Sequence, residues 1–463
     1  MLKRKVEKQL LLWKDSRKTA LLVSGARQIG KSYSVSHFIE GNFKHVVSIN
    51  FDERLDLIEP FVKIKSYDDL IVRLSIVAGT GLVKGETLIF LDEIQLLYKR
   101  REELAEKGSI FDYVDIVTLM KSAASKGDYR FILSGSLLGV TLNSVVLNPL
   151  GYMDKLTMHP LDFEEYLWAK GVGEEAISYL RGCFEGLRAV DEEINKQFLC
   201  YFREYVLIGG MPEAVQSFME NKNVALVSLI HAQIADEYSS DIVTYVKDKE
   251  KKLKIKDLFE AIPSELNAKN KRFVSSHVLD ASYLKINPVS DDFLWLTNAG
   301  VAIPTYNVAD PSSPLLLSCQ RKTLKLFNND VGLLSSSLLD EAGKAKLLMG
   351  ESQLNYGAPY ENAAAEELSA HGFGGNLFYF NSKKHGEVDF VVEYKNEVLP
   401  IEIKSGKPNQ MLFYNHTALN NIMKTYPIAK AYVFGEGNLL KESGRIIQLP
   451  IYMLMFLTKG WGF

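Results

Sequence analysis

Ala20-Leu-Leu-Val-Ser-Gly25-Ala-Arg-Gln-Ile-Gly30-Lys-Ser-Tyr-Ser-Val35 is the stretch that decides the fold. It begins as an apolar, strand-like run and ends as the start of a helical one. Between them Gly25-Ala26-Arg27-Gln28-Ile29-Gly30-Lys31-Ser32 fits G-x-x-x-x-G-K-[ST] at every fixed position. Phosphate binding demands this layout: glycines let backbone N–H groups turn inward around phosphate oxygens, and the following helix N-terminus adds a favourable dipole. Lys31 is then expected to neutralise the β- and γ-phosphates and Ser32 to ligate Mg²⁺, with the loop from Gly25 to Tyr33 lining ATP. Arg27 either touches phosphate or lies on the surface, and sequence does not separate the two.

Working outward, Thr87-Leu-Ile-Phe-Leu-Asp92-Glu93 is an apolar strand ending in two acids. It is expected to deliver Asp92 to the Mg²⁺ shell and Glu93 to the attacking water. A further strand, Arg130-Phe-Ile-Leu-Ser134-Gly-Ser136, ends in small hydroxyls. Ser134 or Ser136 either orients the lytic water or belongs to a simple turn. Strand candidates Ala20–Ser24, His45–Phe51, Thr87–Leu91 and Arg130–Ser134 alternate with helical stretches, which predicts a parallel sheet covered by helices.

The spacing then divides the chain as follows: 1–160, a P-loop domain; 161–225, a helical lid or connector, with Phe198, Phe202, Tyr205 and Val206 at helical spacing; 226–308, a winged-helix-like module of short helices, one of them ending before IPSEL, followed by a hydrophobic hairpin; 315–463, a separate α/β domain. The segment Ala309–Pro314 reads as the linker.

Near the C-terminus, Gly386-Glu-Val-Asp389-Phe-Val-Val392 precedes Leu399-Pro-Ile-Glu402-Ile-Lys404. Period two puts Glu402 and Lys404 on one strand face. If the strands pair as a hairpin, Asp389 lies close to Glu402, the two share a divalent metal ion, and Lys404 holds or activates a water for phosphodiester hydrolysis. Glu361 is a candidate third carboxylate. Alternating charge on an exposed strand face accounts for the same pattern without chemistry.

GARQIGKS, LIFLDEIQ, ILSGSLL, HPLDFEEYLWA, VLIGGMPEAV, IPSEL and GEVDFVVE…LPIEIKSG occur here in the order found in one family. From about residue 18 to about 435 the chain resembles the prokaryotic AAA-superfamily ATPases that carry a C-terminal domain of unknown function with a restriction-endonuclease-like, PD-(D/E)XK, core. The resemblance implies an AAA-type ATPase domain, a winged-helix-like middle and a nuclease-like end. It carries over Gly25–Ser32, Asp92, Glu93, Glu361, Asp389, Glu402 and Lys404. Many relatives have Gly-Arg after the third ATPase strand, where this chain has Gly151-Tyr152.

A net charge of −3 over 463 residues gives no global field for nucleic acid, so DNA contact would need a local patch. Lys247–Lys256 with Lys269, Lys271 and Arg272 is either that patch or a solvated helix face. Cys183, Cys200 and Cys319 lie far apart, without metal-ligand or disulfide spacing, which fits a reduced cytoplasmic setting. No apolar run reaches the roughly 18 residues of a membrane span. The eight histidines are scattered and suggest no cluster, and Gly209-Gly210-Met211-Pro212 reads as a tight turn. Two readings stand: an ATPase, of a superfamily that often completes its sites between subunits, driving a DNA-binding and DNA-cleaving end; or a nucleotide-gated binding module with an inactive nuclease-like fold.

Overall fold

Ala20–Ser24 forms β1, buried at every position. It lies between β4 (Arg130–Gly135) and β5 (Met153–Thr157), both parallel to it. Beyond β4 come β3 (Thr87–Asp92) and β2 (His45–Asn50), which gives the all-parallel order β2-β3-β4-β1-β5. The computed structural model describes residues 2–16, 20–107, 113–136, 151–246, 248–268, 291–350, 356–375, 377–406, 416–442 and 445–459. Two units make up the chain, one on Arg4–His159 with Asn298–Gly300, the other on Pro160–Thr297 and Val301–Gly462.

In the first unit, the expected strands end within a residue of those observed. Helix boundaries follow local chemistry. Ser66 caps Tyr67–Ala78 by accepting from Asp69 N, and Gly79 ends it at φ 64°. Asp115 and Gly127 do the same for Ile116–Lys126. Helix α1 (Val6–Asp15) buries Val6, Gln9, Leu10 and Trp13, the stripe an amphipathic helix requires. The strand that patterning does not reveal is β5, which is short and mixes Asp154, Lys155 and Thr157 with Met153 and Leu156.

In the second unit the helix Glu192–Ile208 buries Phe198, Phe202, Tyr205 and Val206, as their spacing predicts. The helix Lys249–Asn267 does not stop at IPSEL but runs through Pro263. Proline removes one backbone bond there, while Ile255, Leu258, Ile262 and Leu266 keep a continuous buried stripe that holds both halves of the helix down.

A second sheet of eight strands is formed among the described residues, in the order β12-β13-β11-β10-β9-β8-β6-β7. Its strands are β6 (Ala302–Val308), β7 (Cys319–Asn328), β8 (Phe378–Ser382), β9 (Gly386–Tyr394), β10 (Glu397–Ile403), β11 (Ala431–Gly435), β12 (Leu440–Glu442) and β13 (Ile446–Pro450). β6, at the end of the segment expected as a winged-helix-like module, pairs with β7 of the expected C-terminal domain and continues this sheet through β8. Ala309–Pro314, expected as a linker, therefore connects two neighbouring strands of one sheet. Burial fits this: β6 is buried or half-buried at every position, so both of its faces are covered. Arg203 also donates to Glu436 at 2.9 and 2.7 Å, joining the helical segment to the end of β11.

No helix among the described residues is long and apolar enough to cross a membrane.

Candidate functional site

The loop after β1 is shaped by three residues at positive φ: Gly25 at 147°, Gln28 at 63° and Gly30 at 83°. A Cβ on Gly25 would fall 2.5 Å from the Met158 carbonyl oxygen, so only glycine lets β1 and the segment after β5 close up beneath the loop. Gly30 caps α2 (Lys31–Asn42), whose first turn contributes Lys31, Ser32 and Tyr33. Lys31 is buried, and its Nζ donates to the carbonyl oxygens of Gly25 at 3.1 Å and Ala26 at 2.6 Å. Ala26 and Ile29 are buried, Arg27, Gln28 and Ser32 half-buried, and Tyr33 exposed.

Register puts the acids at the same edge as this loop. Leu91 faces Leu133, and Ser134 faces Val23, so the ends of β3, β4 and β1 lie side by side. Asp92 is almost fully buried, and its Oδ1 accepts from the Ser134 hydroxyl and from Glu93 N at 3.0 Å. Ser134 is fully buried behind Asp92. The hydroxyl near Glu93 is that of Ser136, 3.4 Å from Glu93 Oε2. Gln95 Nε2 donates both to Glu93 Oε2 and, at 3.1 Å, to Ser136 Oγ. Glu93 sits at φ 55°, a strained conformation for a non-glycine residue, and these side-chain bonds hold its carboxylate in place.

Two residues at this site escape the sequence patterns. Gln95 stands at the start of a helix, as the last residue of LIFLDEIQ, where sequence assigns it no role. Arg4 lies ahead of α1, yet its guanidinium is buried and donates to the carbonyl oxygens of Ile29 at 3.1 Å and His159 at 2.7 Å. The glycine cradle, the lysine at the helix start and the buried Asp92 fit a nucleotide triphosphate with Mg²⁺: Ser32 and Asp92 would hold the ion, and Gly25–Lys31 the phosphates.

Residues 17–167 match a family described as an AAA domain. This region carries an AAA domain. Beyond the AAA domain, residues 200–343 and 356–454 match two families described only as domains of unknown function, DUF8612 and DUF4143. Among curated proteins nothing matches the chain. Among solved structures, the chain is similar to the Walker-type ATPase PABY2304 of Pyrococcus abyssi, at 14% identity over 73% of this chain and 96% of that one, with a TM-score of 0.41. It is similar to Cdc6p of Pyrobaculum aerophilum at 13% identity over 75% and 93%, TM-score 0.23. The corresponding values for PCH-2 of C. elegans are 12%, 47%, 62% and 0.27. Likenesses of this size carry no argument, so the AAA domain rests on its own sequence and geometry.

The C-terminal constellation lies in the other unit. Strands β9 and β10 pair antiparallel across Lys395 and Asn396, both at positive φ, as a two-residue hairpin turn needs. Ile401 faces Phe390, which brings Glu402 beside Asp389. Asp389 Oδ2 accepts from Ile403 N at 2.8 Å. Burial pushes the Asp389 carboxyl up to about 7, with Glu361 and Glu402 adding to the shift and Lys325 and Lys404 opposing it. Glu402 accepts from Lys404 Nζ and lies 3.4 Å from His416 Nδ1. Burial works against its ionisation, but His416 and Lys404 hold its carboxyl below the usual range.

His416 and Lys325 carry no sequence mark of a place here. Lys325 on β7 is fully buried, its Nζ 2.6 Å from Glu387 Oε1 and 4.8 Å from the centre of the Tyr379 ring. A divalent ion, which the restriction-endonuclease resemblance implies at Asp389, Glu402 and Glu361, is not matched by this arrangement. Among the described residues no group of three or more His, Cys, Asp and Glu side chains is disposed to hold a metal; Lys404 and His416 already face Glu402, and Lys325 lies among Glu361, Glu387 and Asp389.

Of the basic stretch, Lys254 and Lys256 pair with Glu250 at 3.0 Å and Glu260 at 3.6 Å on one helix. Lys247, Lys269, Lys271 and Arg272 lie outside the described residues.

Proposed function

We propose that this protein binds and hydrolyses Mg-ATP in its AAA domain and uses the nucleotide state to regulate binding by the second unit. The observation that carries the reading is the Glu93 carboxylate, fixed by Gln95 and Ser136 next to Asp92, at the sheet edge that also carries the phosphate loop. Glu93 takes the proton of the attacking water as the water oxygen bonds to the γ-phosphorus and the bridging oxygen leaves with ADP. Lys31 exchanges its loop carbonyl partners for phosphate oxygens and balances their charge. Ser134 keeps Asp92 oriented from behind. Mg²⁺, when bound by Ser32 and Asp92, supplies further charge neutralisation at the phosphates.

For the second unit, the order helix (Gly357–Leu368), β8, β9, β10, helix (Thr417–Thr425), β11 supports a restriction-endonuclease-like core. Of the two uses of that core, binding without cleavage is favoured by the buried Lys325 among its carboxylates and by His416 beside Glu402. DNA is the partner class to test first, and assembly between copies would follow the habit of AAA ATPases.

The test is Mg²⁺-dependent ATP hydrolysis by wild type, Lys31→Ala and Glu93→Gln, each with and without double-stranded DNA. Both variants should lose hydrolysis, while Glu93→Gln still binds ATP. Turnover retained in Glu93→Gln would sink the assignment of the base. Stimulation by DNA would identify the partner, and its absence would remove DNA from the reading.

A further inference from the structure

We propose that Lys325 is a resident counter-cation of the C-terminal carboxylates, standing electrostatically where a nuclease core would hold a divalent ion. The inference rests on the non-cleaving reading of the second unit and is independent of the ATPase.

Lys325 lies on β7 directly opposite Thr305 of β6, and both side chains are fully buried. A lysine ammonium in such a place is costly to desolvate unless anions surround it. Here they do. Glu387 of β9 is in contact at 2.6 Å, and the charge of Lys325 is sustained by Glu361, Glu387 and Asp389 against the effect of burial. The Tyr379 ring covers another side of the ammonium.

Three elements far apart in sequence therefore converge on one cation: β7, the helix Gly357–Leu368 that carries Glu361, and β9 with Glu387 and Asp389. Lys404 and His416 face the remaining carboxylate, Glu402. Mg²⁺ and Mn²⁺ need ionised oxygen ligands in near-octahedral array. A divalent ion entering this cluster would meet a fixed positive charge that cannot withdraw to solvent and would compete with it for the same oxygens.

The experiment is Mn²⁺ binding by the full-length, nucleotide-free chain, followed by electron paramagnetic resonance for wild type, Asp389→Asn, Lys325→Met and the Lys325→Met/Asp389→Asn double variant. Wild type should bind no Mn²⁺ dependent on Asp389 up to about 1 mM, the weak end of biological sites. Lys325→Met should gain a site at least about tenfold tighter, which the double variant loses. Asp389-dependent Mn²⁺ binding by wild type would overturn the inference, as would a folded Lys325→Met that gains nothing. If Lys325→Met does not fold, the comparison of wild type with Asp389→Asn decides alone. Mn²⁺ bound without DNA cleavage sinks only this inference, whereas DNA cleavage lost in Asp389→Asn sinks the non-cleaving reading as well.

Discussion

Arg4 donates from Nη1 to the carbonyl oxygen of Ile29 at 3.1 Å, which ties the segment ahead of α1 to the middle of the phosphate loop. Its Nη2 holds His159 O at 2.7 Å, in the segment that also passes beneath Gly25. The side chain therefore fixes the loop from outside the motif. Arg4→Ala should raise the KM for ATP about tenfold, the equivalent of roughly 1.4 kcal/mol, with kcat changed much less. Arg4→Lys should not restore it, because one ammonium does not span both carbonyls as the guanidinium fork does. Steady-state kinetics on the two variants check this, and a fall in kcat alone would contradict it.

Ser134 and Asp92 form the next pair to test. With its hydroxyl donated to a buried carboxylate, Ser134 acts on Asp92 and has no exposed surface from which to reach water. Ser134→Ala leaves that carboxylate short of one donor, at a cost of about 1–3 kcal/mol. The expected signature is a higher Mg²⁺ concentration for half-maximal hydrolysis. An unchanged Mg²⁺ requirement with lower kcat would return Ser134 to the role of orienting water.

Gly209 and Gly210 take on a structural meaning that their reading as a turn lacked. Gly209 is at φ 69°, and a Cβ on it would overlap the Asp330 carboxylate. The Gly210 N–H donates to Asp330 Oδ2 at 2.6 Å, and a Cβ there would collide with the backbone of Leu161. Gly210→Ala should lower stability by about 3 kcal/mol or more, since the obstruction is backbone rather than a flexible side chain. Denaturant midpoints of wild type and variant measure the difference.

His231 predicts how stability depends on pH. Burial, aided by the charge of Lys344, pushes its imidazole down to about 4. Nδ1 lies 2.7 Å from Ser336 Oγ and Nε2 3.1 Å from Ile208 O, so the neutral ring donates from Nε2 and accepts at Nδ1. A folded-state pKa below the unfolded value of 6.5 means that the unfolded chain takes up the proton first. This contribution is fully present above pH 6.5 and is lost as pH falls toward about 4, in total about 3 kcal/mol. Thermal melts of wild type and His231→Gln from pH 7 to pH 4.5 should show a shallower acid decline in the variant.

The AAA domain was legible because its signals are local. Gly25, Gly30 and Lys31 stand at the spacing of a phosphate-binding motif, and Asp92 and Glu93 end an apolar run downstream of it. Gln95 and Arg4 were not legible, since a polar residue in a helix start or ahead of an amphipathic helix carries no mark of what it will touch. In the second unit, the hairpin of Asp389 and Glu402 could be read from period two and a turn. Its partners could not: Lys325 is 64 positions before Asp389 and His416 is 14 after Glu402.

Sequence by itself determined the parallel sheet, the phosphate loop and the acids beside it, because backbone conformation and strand period are written in neighbouring residues. Only the tertiary structure decided that β6 and β7 extend the C-terminal sheet, that Ser134 serves Asp92, and that a buried lysine meets the carboxylates expected to hold a metal. Those outcomes depend on which distant groups share one desolvated space, and the sign of a charge there is set by burial and neighbours that no short stretch of chain contains.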